Sequence, residues 1–305
     1  MKKNKLFVTG VMLCLITFIS VSGVSSAVVQ STPAGESSDD SRPGKGQPFS
    51  PERKPPTGIN ITKTDRARQM VTERAQFWIH ANSSVPSLVW GDRDYEIQNK
   101  INIEALVEYT DQNNNNQYDL AEQVQVLELN ESTIWNFTEI SSNDTTSVIS
   151  IYTQEVNVLG FESVLINLTY YLNAGSTYMK FDIEIENWPW DSDQNRLAFG
   201  FGFEPTKLQE KMQINKFDKV EDDPTGLNQP AGLYVKNSAG NIVGYVMSSD
   251  FAFKSNKSIE IDVISQIEIN NDKFSANLYL NYPYFGDYLL HDPIIGSSGD
   301  TLVDV

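Results

Sequence analysis

One stretch of twelve residues carries side chains whose types and spacing name a chemistry. Asp111-Gln-Asn-Asn-Asn-Asn-Gln-Tyr-Asp-Leu-Ala-Glu122 places side-chain oxygens at positions one, three, five, nine and twelve: Asp111, Asn113, Asn115, Asp119 and Glu122. Gln117, at position seven, offers its backbone carbonyl. This is the ligand ladder of an EF-hand-type calcium loop, because Ca2+ takes six to eight hard oxygens in flexible geometry. On this reading Glu122 closes the site with both carboxylate oxygens. Position six, ordinarily glycine because the backbone there needs positive φ, is Asn116, the non-glycine residue that best tolerates that region. With three carboxylates among the ligands, the expected affinity is modest, about 10⁻⁴ to 10⁻³ M, as in extracellular modules.

Other constellations are thinner. Asp191, Asp193 and Asn195 repeat the first half of the ladder, but the closing position is Gly202, so this reads as a plain turn. Trp188-Pro189-Trp190 could form a stacking platform for sugar rings. The alternating Phe199-Gly-Phe-Gly-Phe203 that follows leaves a bare glycine groove, and the expectation is that one of the tryptophans packs inward over it. Asp182, Glu184 and Glu186 share one strand face and could serve a glycosidase as acid and base, or simply form a solvated face. His80 and His291 are too few and too scattered for a triad and read as structural or surface residues.

Strands must position these groups. Ile101, Ile103, Ala105, Val107 and Tyr109 alternate with Asn102, Glu104, Leu106, Glu108 and Thr110, which predicts a strand running straight into the loop. Val124 to Leu129 resumes strand character beyond it. The loop is thus flanked by strands, and a helix-paired calcium sensor is not expected. Further strands are predicted over 75–81, 148–156, 164–172, 178–186, 197–203, 232–235, 242–247, 259–267 and 274–282. Trp90-Gly-Asp-Arg-Asp94 reads as a turn, and residues 65–74 as a short helix or a lead into a strand. The spacing, with Asn-, Asp-, Gly- and Pro-rich turns and no helical period, predicts an all-β fold, a large antiparallel β-sandwich over 65–305, as one body or two packed β subdomains.

The chain ends bound the setting. Residues 1–27 read as a secretory signal: Lys2, Lys3 and Lys5, an apolar run from Leu6 to Val21, then Ser25-Ser26-Ala27 for cleavage. Retention as an N-terminal anchor is the alternative. Residues 28–64 are rich in Pro, Ser and Gly and read as a disordered spacer, with large apolar side chains only at Phe49, Ile59 and Ile61. Cys14, the only cysteine, lies in the signal, so the mature chain has neither disulfide nor thiolate metal site. Cleavage removes three lysines and moves the formal charge from −17 to −20 (−17 minus 3). That balance excludes nucleic acid and suits divalent cations. Seven Asn-x-Ser/Thr sequons, at Asn60, Asn82, Asn130, Asn136, Asn143, Asn167 and Asn256, fit an exported glycoprotein.

Four segments, Ile103 to Leu129, Met179 to Phe203, Tyr279 to Phe285 and Leu290 to Gly296, give the chain a resemblance to a group of uncharacterised exported archaeal proteins. The resemblance implies export and a calcium loop and no named activity. Members often carry a C-terminal membrane anchor, and no second long apolar run occurs here. The expected function is an exported, calcium-stabilised surface or binding module, secreted or held at the cell surface, with a surface protein or glycan as partner. The alternatives are a carbohydrate-binding module using Trp188 and Trp190, and a polysaccharide-active enzyme using the 182–186 carboxylates.

Overall fold

Alternating buried and exposed side chains along most segments make strands the only elements that can bury one face of this chain. The computed structural model describes residues 58–81, 85–92, 98–130, 132–205, 212–255, 257–271 and 274–297. The signal and spacer residues 28–57 lie outside the described residues. In chain order the strands are β1 (Asn60–Lys63), β2 (Ala67–Val71), β3 (Ala75–His80), β4 (Ser87–Asp92), β5 (Gln98–Tyr109), β6 (Gln123–Glu128) and β7 (Thr133–Ser142). They continue as β8 (Thr146–Val156), β9 (Leu165–Asn173), β10 (Tyr178–Glu186), β11 (Arg196–Pro205), β12 (Gln213–Phe217), β13 (Ala231–Lys236) and β14 (Ile242–Ser248). The last are β15 (Phe251–Lys254), β16 (Ile259–Asp262), β17 (Ile264–Ile269), β18 (Ala276–Tyr282), β19 (Tyr288–His291) and β20 (Ile294–Gly296). The only helical pieces among the described residues are short 3-10 turns at Leu120–Glu122 and Val220–Asp222, and no described helix is long and apolar enough to cross a membrane.

Two antiparallel sheets form the sandwich. Sheet A runs β1-β2-β3-β4-β5-β11-β18-β17, and β6 shares with β4 one edge of the long β5. Sheet B runs β7-β8-β9-β10 and then forks, because β10 pairs β20 near its start and β19 near its end. One arm continues through β14, β13 and β12, the other through β15 and β16. A single large core, with Phe77, Trp90, Phe199, Phe201 and Phe203 from sheet A and Ile166, Phe181, Ile183 and Leu289 from sheet B, fills the space between the sheets. The described residues all fall within one compact unit.

Four sequence expectations change. Residues 58–63, placed in the spacer, join the sandwich: β1 pairs β2, and Ile59 and Ile61 reach the core. Trp90 and Gly91, read as a turn, lie in β4, with Trp90 fully buried and its indole donating to the Gly296 carbonyl at 2.7 Å. The strand expected over 259–267 is two strands in different sheets, β16 in sheet B and β17 in sheet A, divided at buried Val263. Alternation along β5 does not run through. A bulge at Glu104, where Gly200 faces Ala105 but Phe201 faces Ile103, reverses the parity. Leu106 and Glu108, expected outside, therefore point into the sandwich, while Val107 and Tyr109 face outward.

Candidate metal centre and its supporting network

The Asp111–Glu122 loop connects β5 to β6 and folds back over the outer face of sheet A. Tyr118 fastens it there. Its ring packs against Tyr109 (5.7 Å between centroids) and Tyr279 (5.4 Å) in a small outer cluster with Val107, Ala198 and Val126. Its backbone N–H donates to Gln266 Oε1 (2.9 Å) and Asn281 Oδ1 (3.0 Å), and its carbonyl accepts from Gln266 Nε2 (3.0 Å). Asn281 also accepts the Tyr109 hydroxyl at 3.0 Å. Burial pushes that hydroxyl's pKa up to about 12, so it remains a donor at any ordinary pH.

Within the loop, short polar side chains cap the backbone. Asp111 accepts the N–H groups of Asn115 and Asn116 at 3.0 Å each, Asn113 accepts that of Asn115 (2.9 Å), and Asn115 accepts that of Gln117 (2.8 Å). Asn116 has φ of 58°, the positive value that position six was expected to require. Asn114 shares that region, with φ of 56°.

Glu122 differs from its loop neighbours. It is only 8% exposed. Its Oε1 accepts the N–H groups of Gln112 (3.0 Å) and Asn113 (3.3 Å). Its Oε2 is buried and has no hydrogen-bond partner. Oε1 is thus engaged by the loop backbone, and Oε2 is open. The full ladder also does not gather its acids, since no three His, Cys, Asp or Glu side chains converge among the described residues. An ion here would need amide and backbone oxygens from the loop beside the carboxylates.

The parity switch in β5 produces a group that sequence reading missed. Glu108 is completely buried. Its Oε1 accepts from the Asp191 N–H (3.0 Å) and Asn195 Nδ2 (2.6 Å), and its Oε2 from Trp188 Nε1 (3.0 Å) and Gln125 Nε2. Four donors on one carboxylate hold the Trp-Pro-Trp turn, the Asp191–Asn195 turn and β6 against the end of β5. A carboxylate can be buried on such terms because every oxygen is paired. Asn195 carries the network onward: its Oδ1 accepts the Thr110 hydroxyl (2.9 Å), and the Thr110 N–H donates to the Glu122 carbonyl (3.0 Å). The half-ladder turn is therefore a structural brace for the full loop. Only a bulge signal near Glu104 could have exposed this from sequence.

The tryptophans pack inward, as expected, though not over the glycines. Trp188 is 3% exposed and packs against Phe161. Trp190 is half-buried between Tyr284 and Phe285, its indole donating to the Gly286 carbonyl at 3.0 Å. The Tyr279 ring covers Gly200, and the Glu104 side chain covers Gly202. With Trp188 in the core, the pair offers no two-ring platform.

Asp182, Glu184 and Glu186 lie half-buried on the outer face of sheet B. Asp182 accepts the Tyr171 hydroxyl (2.9 Å), and burial raises its pKa. Glu184 accepts from Asn167 Nδ2 (2.7 Å) and the Tyr288 hydroxyl (2.9 Å), with Lys257 at 3.8 Å. His291 is buried, with Nδ1 at 2.9 Å from the Tyr282 hydroxyl and Nε2 near the Ser249 and Ser248 hydroxyls (3.1 and 3.3 Å). Desolvation lowers its pKa to about 4. Asp292 bonds Ser249 and pairs with Lys180 instead of orienting the ring, so these residues do not form a catalytic triad. His80 stacks on Trp78.

No protein-family model and no curated protein sequence matches the chain. Among solved structures, an alpha-mannosidase from Enterococcus faecalis V583 overlaps with 78% of this chain and 30% of its own, at 11% identity and a TM-score of 0.45. An overlap that loose transfers neither activity nor substrate.

Proposed function

We propose that this chain is an exported β-sandwich module whose Asp111–Glu122 loop takes a calcium ion, and that the ion serves binding or surface attachment by stiffening the loop. One observation carries the reading. Glu122 Oε2 is a buried carboxylate oxygen without a partner, at the closing position of an otherwise complete ladder. Leaving a buried charged acceptor unsatisfied costs upwards of about 1–3 kcal/mol, and a hard cation removes that cost. Asp111, Asn113, Asn115, the Gln117 carbonyl and Asp119 are the remaining candidate ligands. Because Tyr118 ties the loop to β17 and β18, the ion would brace sheet A without doing chemistry. The test is thermal unfolding with and without millimolar calcium. The reading expects a higher melting temperature with calcium and no calcium effect in Glu122→Ala. A flat wild-type response, or an equal rise in the variant, overturns it.

A second reading has its own observation. Asp182 and Glu184 are neighbours on one face with unequal surroundings, which is how a glycosidase separates acid from base. It expects hydrolysis of some polysaccharide that Asp182→Asn abolishes. Activity retained by that variant removes it.

A further inference from the structure

The sequons are not equivalent once folded. Asn82 and Asn256 lie outside the described residues. Asn143 stands exposed at the turn after β7, and its Oδ1 accepts three donors, from Thr145 N–H (2.8 Å), the Thr145 hydroxyl (2.8 Å) and Thr146 N–H (2.9 Å). That arrangement polarises the carboxamide, turns Nδ2 outward and presents the sequon's own threonine alongside. Asn136 is exposed in mid-β7, and its Nδ2 makes one long surface bond to Gln154 (3.2 Å). Asn167 is the opposite case. Its Nδ2 donates to Glu184 (2.7 Å), its Oδ1 accepts from Ser150, and its sequon threonine, Thr169, is 5% exposed with the hydroxyl turned to Ser150.

Asn136 and Asn143 also share a location. β7 pairs only β8; no strand among the described residues pairs with its other edge, which only the Lys63 side chain (on Glu139) and the Arg68 side chain (over the Phe137 ring) of β1 and β2 approach. It is ten residues long and exposes Ile134 and Ile140. A long open edge with exposed apolar side chains is a template for pairing with a second chain unless something blocks it.

We propose that the folded chain accepts N-linked glycans at Asn136 and Asn143, refuses them at Asn167, and uses them to shield the open edge of sheet B. In the step, Nδ2 bonds to the anomeric carbon of an oligosaccharide carried on a lipid diphosphate. The carbon–oxygen bond to phosphate breaks, its electron pair leaves with the phosphate, and one amide proton passes to a base of the transferase. In a cell the proposal rests on the export reading, but the acceptor geometry does not.

The test incubates purified, folded, unglycosylated chain with an oligosaccharyltransferase and a lipid-linked oligosaccharide, and maps glycopeptides by mass spectrometry. Free peptides spanning each sequon serve as controls. The expected result is modification of Asn136 and Asn143 at least about tenfold faster than Asn167 in the folded chain, since Asn167 reacts only through local opening, with the free Asn167 peptide modified as readily as the others. Asn167 keeping pace in the folded chain, or Asn136 and Asn143 staying unmodified while their peptides react, overturns the assignment. Sedimentation then tests shielding: the glycosylated chain stays monomeric where an Asn136→Gln, Asn143→Gln variant associates with rising concentration. Identical sedimentation overturns that role. A chain that is never exported would still show the selectivity in vitro, so the two failures are separable.

Discussion

Glu108 and Glu122 are both carboxylates taken out of water at the two ends of one segment, and they are held on opposite terms. Glu108 has two donors on each oxygen, all supplied by the protein. Glu122 has two donors on Oε1 and none on Oε2. Burial alone therefore marks neither residue as a ligand. The difference lies in whether the fold closes the hydrogen-bond account by itself. At Glu108 it does, and the residue is a strut. At Glu122 the fold leaves one acceptor open, which the proposed cation would complete.

The largest expected effect falls on the closed side. Glu108→Ala strands the Trp188 indole, the Asp191 N–H and the Asn195 amide, leaves Gln125 only its bond to the Pro189 carbonyl, and should cost about 3–5 kcal/mol. Chemical denaturation should show that loss equally in calcium and in chelator. A calcium-dependent loss would mean that the two carboxylates are one site. Next is the pH response of His291, which must be separated from any carboxylate effect. Its folded pKa, about 4, lies below its unfolded value, so the unfolded chain binds the extra proton. The neutral ring's stability is fully present above about pH 6.5 and is lost as pH falls from there to about 4, by about 3 kcal/mol in total. Urea melts across that range should flatten in His291→Phe.

Glu122→Gln should abolish the calcium increment, about 2.7 kcal/mol at a hundredfold excess over Kd, while changing chelator-treated stability by about 1 kcal/mol or less. Tyr118→Ala removes the ring that joins the loop to Tyr109 and Tyr279. It should cost about 2 kcal/mol and weaken calcium binding while leaving the site's donors in place. The smallest change is Asn116→Gly, which relaxes the 58° φ and should raise stability by under about 1 kcal/mol. Differential scanning calorimetry resolves all three.

Much of the fold was legible because apolar alternation is local. Tyr178–Glu186 matches its predicted strand end to end, and the strands around the loop lie where expected. β7 was not legible: it reads polar along most of its length because it forms an open edge. The loop's ladder and its positive φ at Asn116 were readable, since both follow from residue type. Glu108 was not, because one extra residue at Glu104 reverses the parity of everything beyond it, and a bulge leaves no mark in simple alternation. The open state of Glu122 was hidden for a related reason. Spacing can show which oxygens face a loop's interior, but which of them the backbone already uses is decided only by the folded turn.

The most direct measurement is calorimetric titration of calcium into the chelator-stripped chain, alongside Glu122→Gln. The account predicts one site saturating with a Kd in the range of about 10⁻⁴ to 10⁻³ M, absent from the variant. No binding heat up to about 10 mM calcium, well above that range, or an unchanged isotherm in Glu122→Gln, would contradict it.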